Sequence, residues 1–120
     1  MDLEKKIRDQ CLLIRVRGEL DHHWSAVLRQ NIDRSLEEHG ARNLLLNLEG
    51  LSFMDSSGVG VLLGRYRRLA AQGGRMALCR VSPAVIKVLE ISGVSKIIPF
   101  YQSEAEAFRN LALPAQRRPQ

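Results

Sequence analysis

The chain has 120 residues, 45% of them hydrophobic, and carries a formal net charge of +5. That length predicts one domain with enough chain to bury a core without disulfides or metal. No apolar run is long enough to span a membrane, and the polar start MDLEKKIRDQ lacks the apolar segment of a signal peptide. We therefore expect a cytoplasmic protein that does not associate with membranes.

Charge and cysteine content argue against two further classes, nucleic-acid binders and disulfide scaffolds. Basic residues are spread along the chain among 13 acids, and aromatic residues are only 5% of the total. The tightest basic group, Arg65, Arg67 and Arg68, could serve an acidic protein surface. Cys11 and Cys79 lie far apart in separate apolar runs, which favours buried, reduced thiols.

The first part of the sequence predicts two strands and a helix. Residues 3–8 and 11–17 read as strands, and apolar and polar side chains alternate in the second of them. Residues 18–21 (GELD) break that alternation. From Trp24 onward apolar residues recur at helical spacing, and Gly40 provides a stop.

The middle of the sequence predicts strand, helix and strand. Residues 43–48 (NLLLNL) form an almost wholly apolar run, typical of a strand covered on both faces. After Asp55 the helical spacing of apolar residues returns, and the pair Gly73-Gly74 ends that helix. Residues 76–79 predict another core strand.

The last part predicts helix, strand and helix. Ser82-Pro83 opens the first helix, with serine as the cap and proline in the first turn. Residues 97–100 read as the last strand. Ser103 and Glu106 form a capping box for a final helix that ends near residue 111.

This order predicts an α/β fold, a single domain with a mixed, mostly parallel sheet of about five strands and four helices. We expect the domain to span residues 1–113 and residues 114–120 to be a disordered tail. The turn at Asp55 then lies at the carboxyl end of a central strand, where open α/β sheets place their sites.

The main candidate site is the segment FMDSSGVG, residues 53–60. Asp55 can cap the following helix by accepting hydrogen bonds from its first amides. A cap does not explain Gly58, Gly60 and Gly64, each of which costs about 1 kcal/mol inside a helix. Sheet packing or a partner surface that approaches the helix backbone would explain them.

Catalysis and nucleotide binding fit this segment poorly. The hydrolase elbow G-x-S-x-G lacks its first glycine around Ser56, and all three histidines precede that serine. The glycines loosely resemble a dinucleotide fingerprint, but Asp55 fills the turn where the pyrophosphate would lie. His22-His23 has no second ligand at helical spacing. We expect no catalytic residue, no cofactor and no metal.

A hydroxyl that is modified fits the segment better. Ser56 would lie exposed at the start of the helix. A phosphate there carries a charge of about −1.5 to −2 and is favoured by the helix dipole and by free amide groups. The modification would change the charge and shape of a docking surface without unfolding the domain.

Five stretches of sequence together resemble a known family. They are GELDHH (18–23), LNLEGLSFMDSSGVGVLLGRY (46–66), Gly73-Gly74, SPAV (82–85) and SGVSKII (92–98). They resemble the anti-anti-sigma factors of the sulfate-transporter and anti-sigma-antagonist domain family, most closely the sporulation type that antagonises the anti-sigma F factor. The resemblance covers residues from about 5 to 112.

The resemblance implies a non-enzymatic switch in transcription regulation. In that family the serine after the motif aspartate, here Ser56, is phosphorylated by an anti-sigma factor that is also a serine kinase. The unmodified antagonist binds that factor and releases the sigma factor, and a metal-dependent phosphatase restores the unmodified form. The resemblance also implies that Asp21, Asp55, Ser57 and Gly58 contact the partner.

Two alternatives stay open. One is a small nucleotide-binding protein that uses the glycine-rich helix start. The other is the same fold acting as a scaffold or a transporter-type regulatory domain without a phosphorylation cycle.

Overall fold

The computed structural model describes residues 1–113, so the tail predicted for residues 114–120 lies outside the described residues. The strands are β1 (Asp2–Arg8), β2 (Cys11–Leu20), β3 (Asn43–Met54), β4 (Met76–Cys79) and β5 (Phe100–Tyr101). The helices are α1 (His22–His39), α2 (Ser56–Ala71), α3 (Pro83–Ile91) and α4 (Glu104–Leu111), with a short 3-10 helix at Val94–Lys96.

The five strands form one sheet in the order of the sequence, β1-β2-β3-β4-β5. β1 pairs with β2 in the antiparallel direction, and the remaining neighbours pair in parallel. A helix connects the strands of each parallel pair, as parallel crossovers require. The predicted α/β fold with a mixed, mostly parallel sheet is confirmed.

The helices cover the two faces of the sheet unequally. α1, α2 and α3 place their buried side chains in the larger core, among them Leu28, Ile32, Leu62 and Leu89. α4 covers the other face with Ala107 and Leu111 and contacts a smaller core. The sequence signals for helix ends agree with this arrangement: α1 stops at Gly40 in the left-handed conformation, and the Ser103 hydroxyl accepts a 3.1 Å hydrogen bond from the Glu106 amide.

The central strands are longer than predicted. β2 ends at Leu20 rather than at residue 17, and β3 ends at Met54 rather than at residue 48. Their parallel pairing continues past Gly18, which adopts φ +117°, through two shifts in register. A glycine tolerates this backbone conformation, so the break in the sequence pattern marks an irregularity within the strand and not its end.

Two local predictions are only partly right. The last strand, predicted at residues 97–100, is β5 and includes only Phe100 of them, because Ile98 lies in the turn after the 3-10 helix and enters the core there. Ser82 occupies the cap position of α3 but makes no capping bond with its side chain. Its hydroxyl donates to the carbonyl of Leu51 instead and fixes the helix start to β3.

The two cysteines are buried free thiols, as predicted. Burial raises the pKa of Cys11 and that of Cys79 to about 12, so both stay protonated at neutral pH. Within residues 1–113, none of the helices has the length and apolar character needed to cross a bilayer.

Candidate functional site

Two aspartates cap neighbouring helices at the carboxyl edge of the sheet. The last residues of β2 and β3 are partners in the parallel register, so the turns that follow them lie side by side. Asp21 caps α1 by accepting a 2.9 Å hydrogen bond from the Trp24 amide. Asp55 caps α2 by accepting from the amides of Ser57 at 2.9 Å and Gly58 at 3.4 Å. The predicted cap at Asp55 is confirmed.

The two adjacent serines have different environments. Ser56 is the first residue of α2 and is exposed, and its hydroxyl has no hydrogen-bond partner among residues 1–113. Ser57 is half-buried and donates its hydroxyl proton to the Asp55 carboxylate. The Ser57 oxygen also lies 3.2 Å from the hydroxyl oxygen of buried Ser25 on α1. Ser57 therefore joins the two helix starts, while the hydroxyl of Ser56 faces solvent.

The hydrogen bonds to Asp55 keep its carboxylate ionised. The Ser57 hydroxyl is the largest cause of a lowered pKa at Asp55, and the amides of Gly58 and Ser57 and the nearby His22 act in the same direction. The first-turn amides were expected to be free for a phosphate on Ser56. That expectation is corrected, because Asp55 already accepts from two of them.

Of the three glycines in α2, Gly58 alone is required by packing among residues 1–113. Gly58 is buried, and a Cβ atom there would lie 2.7 Å from Met54 Cγ and 3.0 Å from Leu20 Cδ2. A Cβ atom at Gly60 or Gly64 would meet nothing within 4 Å among the described residues outside its own stretch of helix. Sheet packing therefore explains Gly58, and it does not explain the other two.

The arginine group on α2 is used within the chain. Arg65 Nε lies 3.3 Å and Arg68 Nη1 lies 3.0 Å from Asp33 Oδ1 on α1, and Arg68 also bonds Glu37 at 3.0 Å. Arg67 is the exposed member. The interpretation of all three as an acidic-partner surface is therefore corrected for two of them, which hold α1 against α2.

Sequence reasoning missed Ser25, which contacts Ser57 across the helix pair. A signal was present, because Ser25 lies at helical spacing with Leu28 and Ile32, on the face of α1 that enters the core. A polar residue on such a face requires a buried partner. His22 and His23, by contrast, are exposed, and the His23 ring packs edge-on against Trp24 with centroids 4.7 Å apart.

Most of the chain matches a known domain family. The family model described as "STAS domain" matches residues 2–107. The chain belongs to the STAS domain family.

Within that family, similar proteins are antagonists of anti-sigma factors. The chain is 40% identical over 111 residues to the anti-sigma F factor antagonist of Paenibacillus polymyxa, covering 92% of this chain and 95% of the relative. It is 32% identical over 98 residues to the anti-sigma-B factor antagonist of Bacillus subtilis strain 168, covering 82% and 88%.

Solved structures of one such antagonist exist in two states. The unphosphorylated form of the anti-sigma factor antagonist SpoIIAA superimposes with a TM-score of 0.77 at 38% identity, over 89% of this chain and 93% of that one. The phosphorylated form of SpoIIAA from Bacillus gives a TM-score of 0.70 at 37% identity, over 90% and 97%. These comparisons support an anti-sigma factor antagonist and give no support to the nucleotide-binding alternative.

Proposed function

We propose that this chain is an anti-sigma factor antagonist controlled by phosphorylation of Ser56. In the unmodified state it binds an anti-sigma factor at the carboxyl edge of the sheet, and the sigma factor is released. The anti-sigma factor is also the serine kinase, and a metal-dependent phosphatase reverses the modification. The chain acts in the cytoplasm by binding and performs no catalysis of its own.

The observation that supports Ser56 most directly is the difference between the two serine hydroxyls. A kinase must reach the oxygen that receives the phosphoryl group. The Ser57 hydroxyl is half-buried and is held by Asp55 and Ser25, so phosphorylation there would first break the helix start. Ser56 is exposed and its hydroxyl makes no such bond. The residue letters alone do not separate these neighbours.

The proposed docking surface consists of Asp21, Asp55, Ser56 and the exposed side of α2 that contains Gly60. Gly58 is buried and shapes this surface by letting the helix start approach β2 and β3. Ser57 also shapes this surface, because its hydroxyl contacts Asp55 and Ser25, and Asp21 both belongs to the surface and caps α1. The binding protein therefore meets a surface on which the Ser56 hydroxyl makes no hydrogen bond to residues 1–113.

A phosphate at Ser56 acts on the interface and not on the fold. The helix dipole favours a dianion by about 0.3–1 kcal/mol, and repulsion from the ionised Asp55 opposes that gain. The net effect on folding is therefore within about 1 kcal/mol. Burying an unpaired phosphate against a partner costs several kcal/mol, and about 1.4 kcal/mol is a tenfold loss of affinity.

Phosphorylation by the cognate kinase in the presence of ATP, followed by peptide mass spectrometry, tests the assignment. We expect one phosphate, on Ser56. Ser56→Ala should stay folded, because the Ser56 hydroxyl is exposed and makes no hydrogen bond within residues 1–113, and it should accept no phosphate, because the proposed acceptor oxygen is gone. If Ser56→Ala is labelled like the wild-type chain while Ser57→Ala is not, the modified residue is Ser57 and the proposal fails.

A further inference from the structure

A second concave site lies at the opposite end of the sheet from Ser56. It is a cavity of about 690 Å³ formed by the β1–β2 turn, the segment before β3, the loop between α2 and β4, and α4. The twelve residues of β3 separate it from the Asp55 turn, a span of about 35 Å at the usual rise per residue. The cavity is therefore independent of the proposed docking surface.

The lining of this cavity is strongly basic. Arg8, Arg42, Arg75 and Arg109 come from four different parts of the chain and line the same space. Asp9 is the one carboxylate among the described lining residues. Even with Arg75 left out of the count, three positive charges against one negative charge make an environment that attracts anions.

Contacts with neutral groups help to position Arg8, Arg42 and Arg75. Arg42 donates from Nε and Nη2 to the carbonyl oxygen of Gly73, at 3.3 Å in each case. Arg75 Nη1 donates to the carbonyl oxygen of Asn110 at 2.7 Å. The guanidinium carbon of Arg8 lies 5.0 Å from the centre of the Phe108 ring.

The glycine pair that ends α2 builds one wall of the cavity. Gly73 adopts φ +77°, and a Cβ atom on Gly74 would lie 2.0 Å from the carbonyl oxygen of Arg42. The Arg75 amide donates to Asn43 Oδ1 at 2.9 Å, which ties this loop to the start of β3. Only glycine allows the two segments to approach so closely, and that approach brings Arg42 and Arg75 to the same cavity.

We propose that this cavity binds a small molecule with more than one phosphate group. Its volume lies within the range of about 300–1,000 Å³ that is usual for small-ligand sites. A guanidinium matches phosphate oxygens with two parallel hydrogen bonds, and one phosphate has three such oxygens to share among converging arginines. The excess of positive charge suits a polyphosphate or bisphosphate better than a single monoanion.

Calorimetric titration of the full chain with inorganic pyrophosphate at low ionic strength tests the proposal, with orthophosphate and citrate as comparison ligands. Pyrophosphate should bind one to one and more tightly than either. The double variant Arg42→Gln/Arg109→Gln should bind pyrophosphate about tenfold more weakly, or weaker still. The matched control Arg29→Gln/Arg67→Gln removes the same charge from exposed helix positions outside the cavity and should change the affinity by less than about twofold.

Amide chemical-shift mapping on the unmutated chain gives a second readout that does not depend on how the variants fold. Gly73 and Gly74 should shift with pyrophosphate, and Ser56 to Gly60 should not. Absence of binding at about 1 mM, equal weakening by the control pair, equal affinity for citrate, or shifts centred on Ser56 would each overturn the proposal. None of these results would contradict the proposed phosphorylation of Ser56, which is tested separately.

Discussion

Replacing Gly60 by alanine tests separately how this position affects the stability of the fold and how it affects the affinity for the proposed partner. The substitution adds one methyl group to an exposed turn of the helix, one turn after Ser56. No other part of the described structure lies within 4 Å of that methyl position. The change should therefore stabilise the chain by about 1 kcal/mol, the usual advantage of alanine over glycine inside a helix.

Gly58→Ala is the matched comparison, because it makes the same chemical change two residues earlier. There the new methyl group would lie 2.7 Å from Met54 Cγ and 3.0 Å from Leu20 Cδ2. Overpacking of this kind costs about 1–3 kcal/mol and offsets the helix gain. We expect a net loss of about 0–2 kcal/mol for Gly58→Ala.

Thermal unfolding followed by circular dichroism measures both variants. At this chain length a gain of about 1 kcal/mol raises Tm by about 3–6 °C, so Gly60→Ala should melt above the wild-type chain and Gly58→Ala at or below it. If the partner packs against the exposed side of α2, Gly60→Ala should also bind it about tenfold more weakly in spite of its higher stability.

Two results would refute this reasoning in different ways. A lower Tm for Gly60→Ala would mean that the space around this position is not open in the folded chain. A higher Tm with unchanged partner affinity would mean that the partner does not reach this turn, and that the docking surface is restricted to the helix start.

Three further predictions concern other contacts. Ser57→Ala should lower the free energy of unfolding in urea by about 1 kcal/mol, because the Ser57 hydroxyl no longer contacts Asp55 and Ser25. An unchanged urea midpoint would show that these contacts do not stabilise the fold. The Arg15 guanidinium lowers the pKa of Glu104 from 4.5 to about 2. The contribution of this ion pair to the free energy of unfolding is therefore fully present above pH 4.5 and is lost as pH falls towards 2. Glu104→Gln should therefore lose about 1–3 kcal/mol at pH 7 and differ little from wild type at pH 2, whereas a difference independent of pH would exclude the ion pair as its cause. Gly74→Ala should cost about 3 kcal/mol, since its methyl would lie against a backbone oxygen that cannot move aside, and a wild-type Tm would show that the loop can open.

The sequence predicted the parts of the fold that depend on local chemistry. Helical spacing, the caps at Asp55 and Ser103, and the stop at Gly40 all describe interactions among near neighbours in the chain. The carboxyl-edge location of the Asp55 turn follows from parallel strand order, so it was predictable as well.

The parts that could not be predicted depend on contacts between distant segments. Gly18 alone does not determine whether β2 ends there or continues with a bulge, because the outcome depends on pairing with β3. In the same way, Ser82-Pro83 is a typical capping sequence, yet the Ser82 hydroxyl donates to the carbonyl of Leu51, which is distant in sequence. Beyond the family resemblance, the proposed preference for Ser56 over Ser57 rests on the position of Ser25 on another helix, which the sequence does not show.

The affinity of the cognate anti-sigma factor for the two forms of this chain tests the central claim most directly. The chain is prepared unmodified and stoichiometrically phosphorylated on Ser56, and each form is titrated with the partner while its Tm is recorded. The phosphorylated form should bind at least about tenfold more weakly while its unfolding free energy stays within about 1 kcal/mol of that of the unmodified form. Equal affinity for the two forms, or a phosphorylated chain that loses its fold, would contradict a switch that acts at the docking surface.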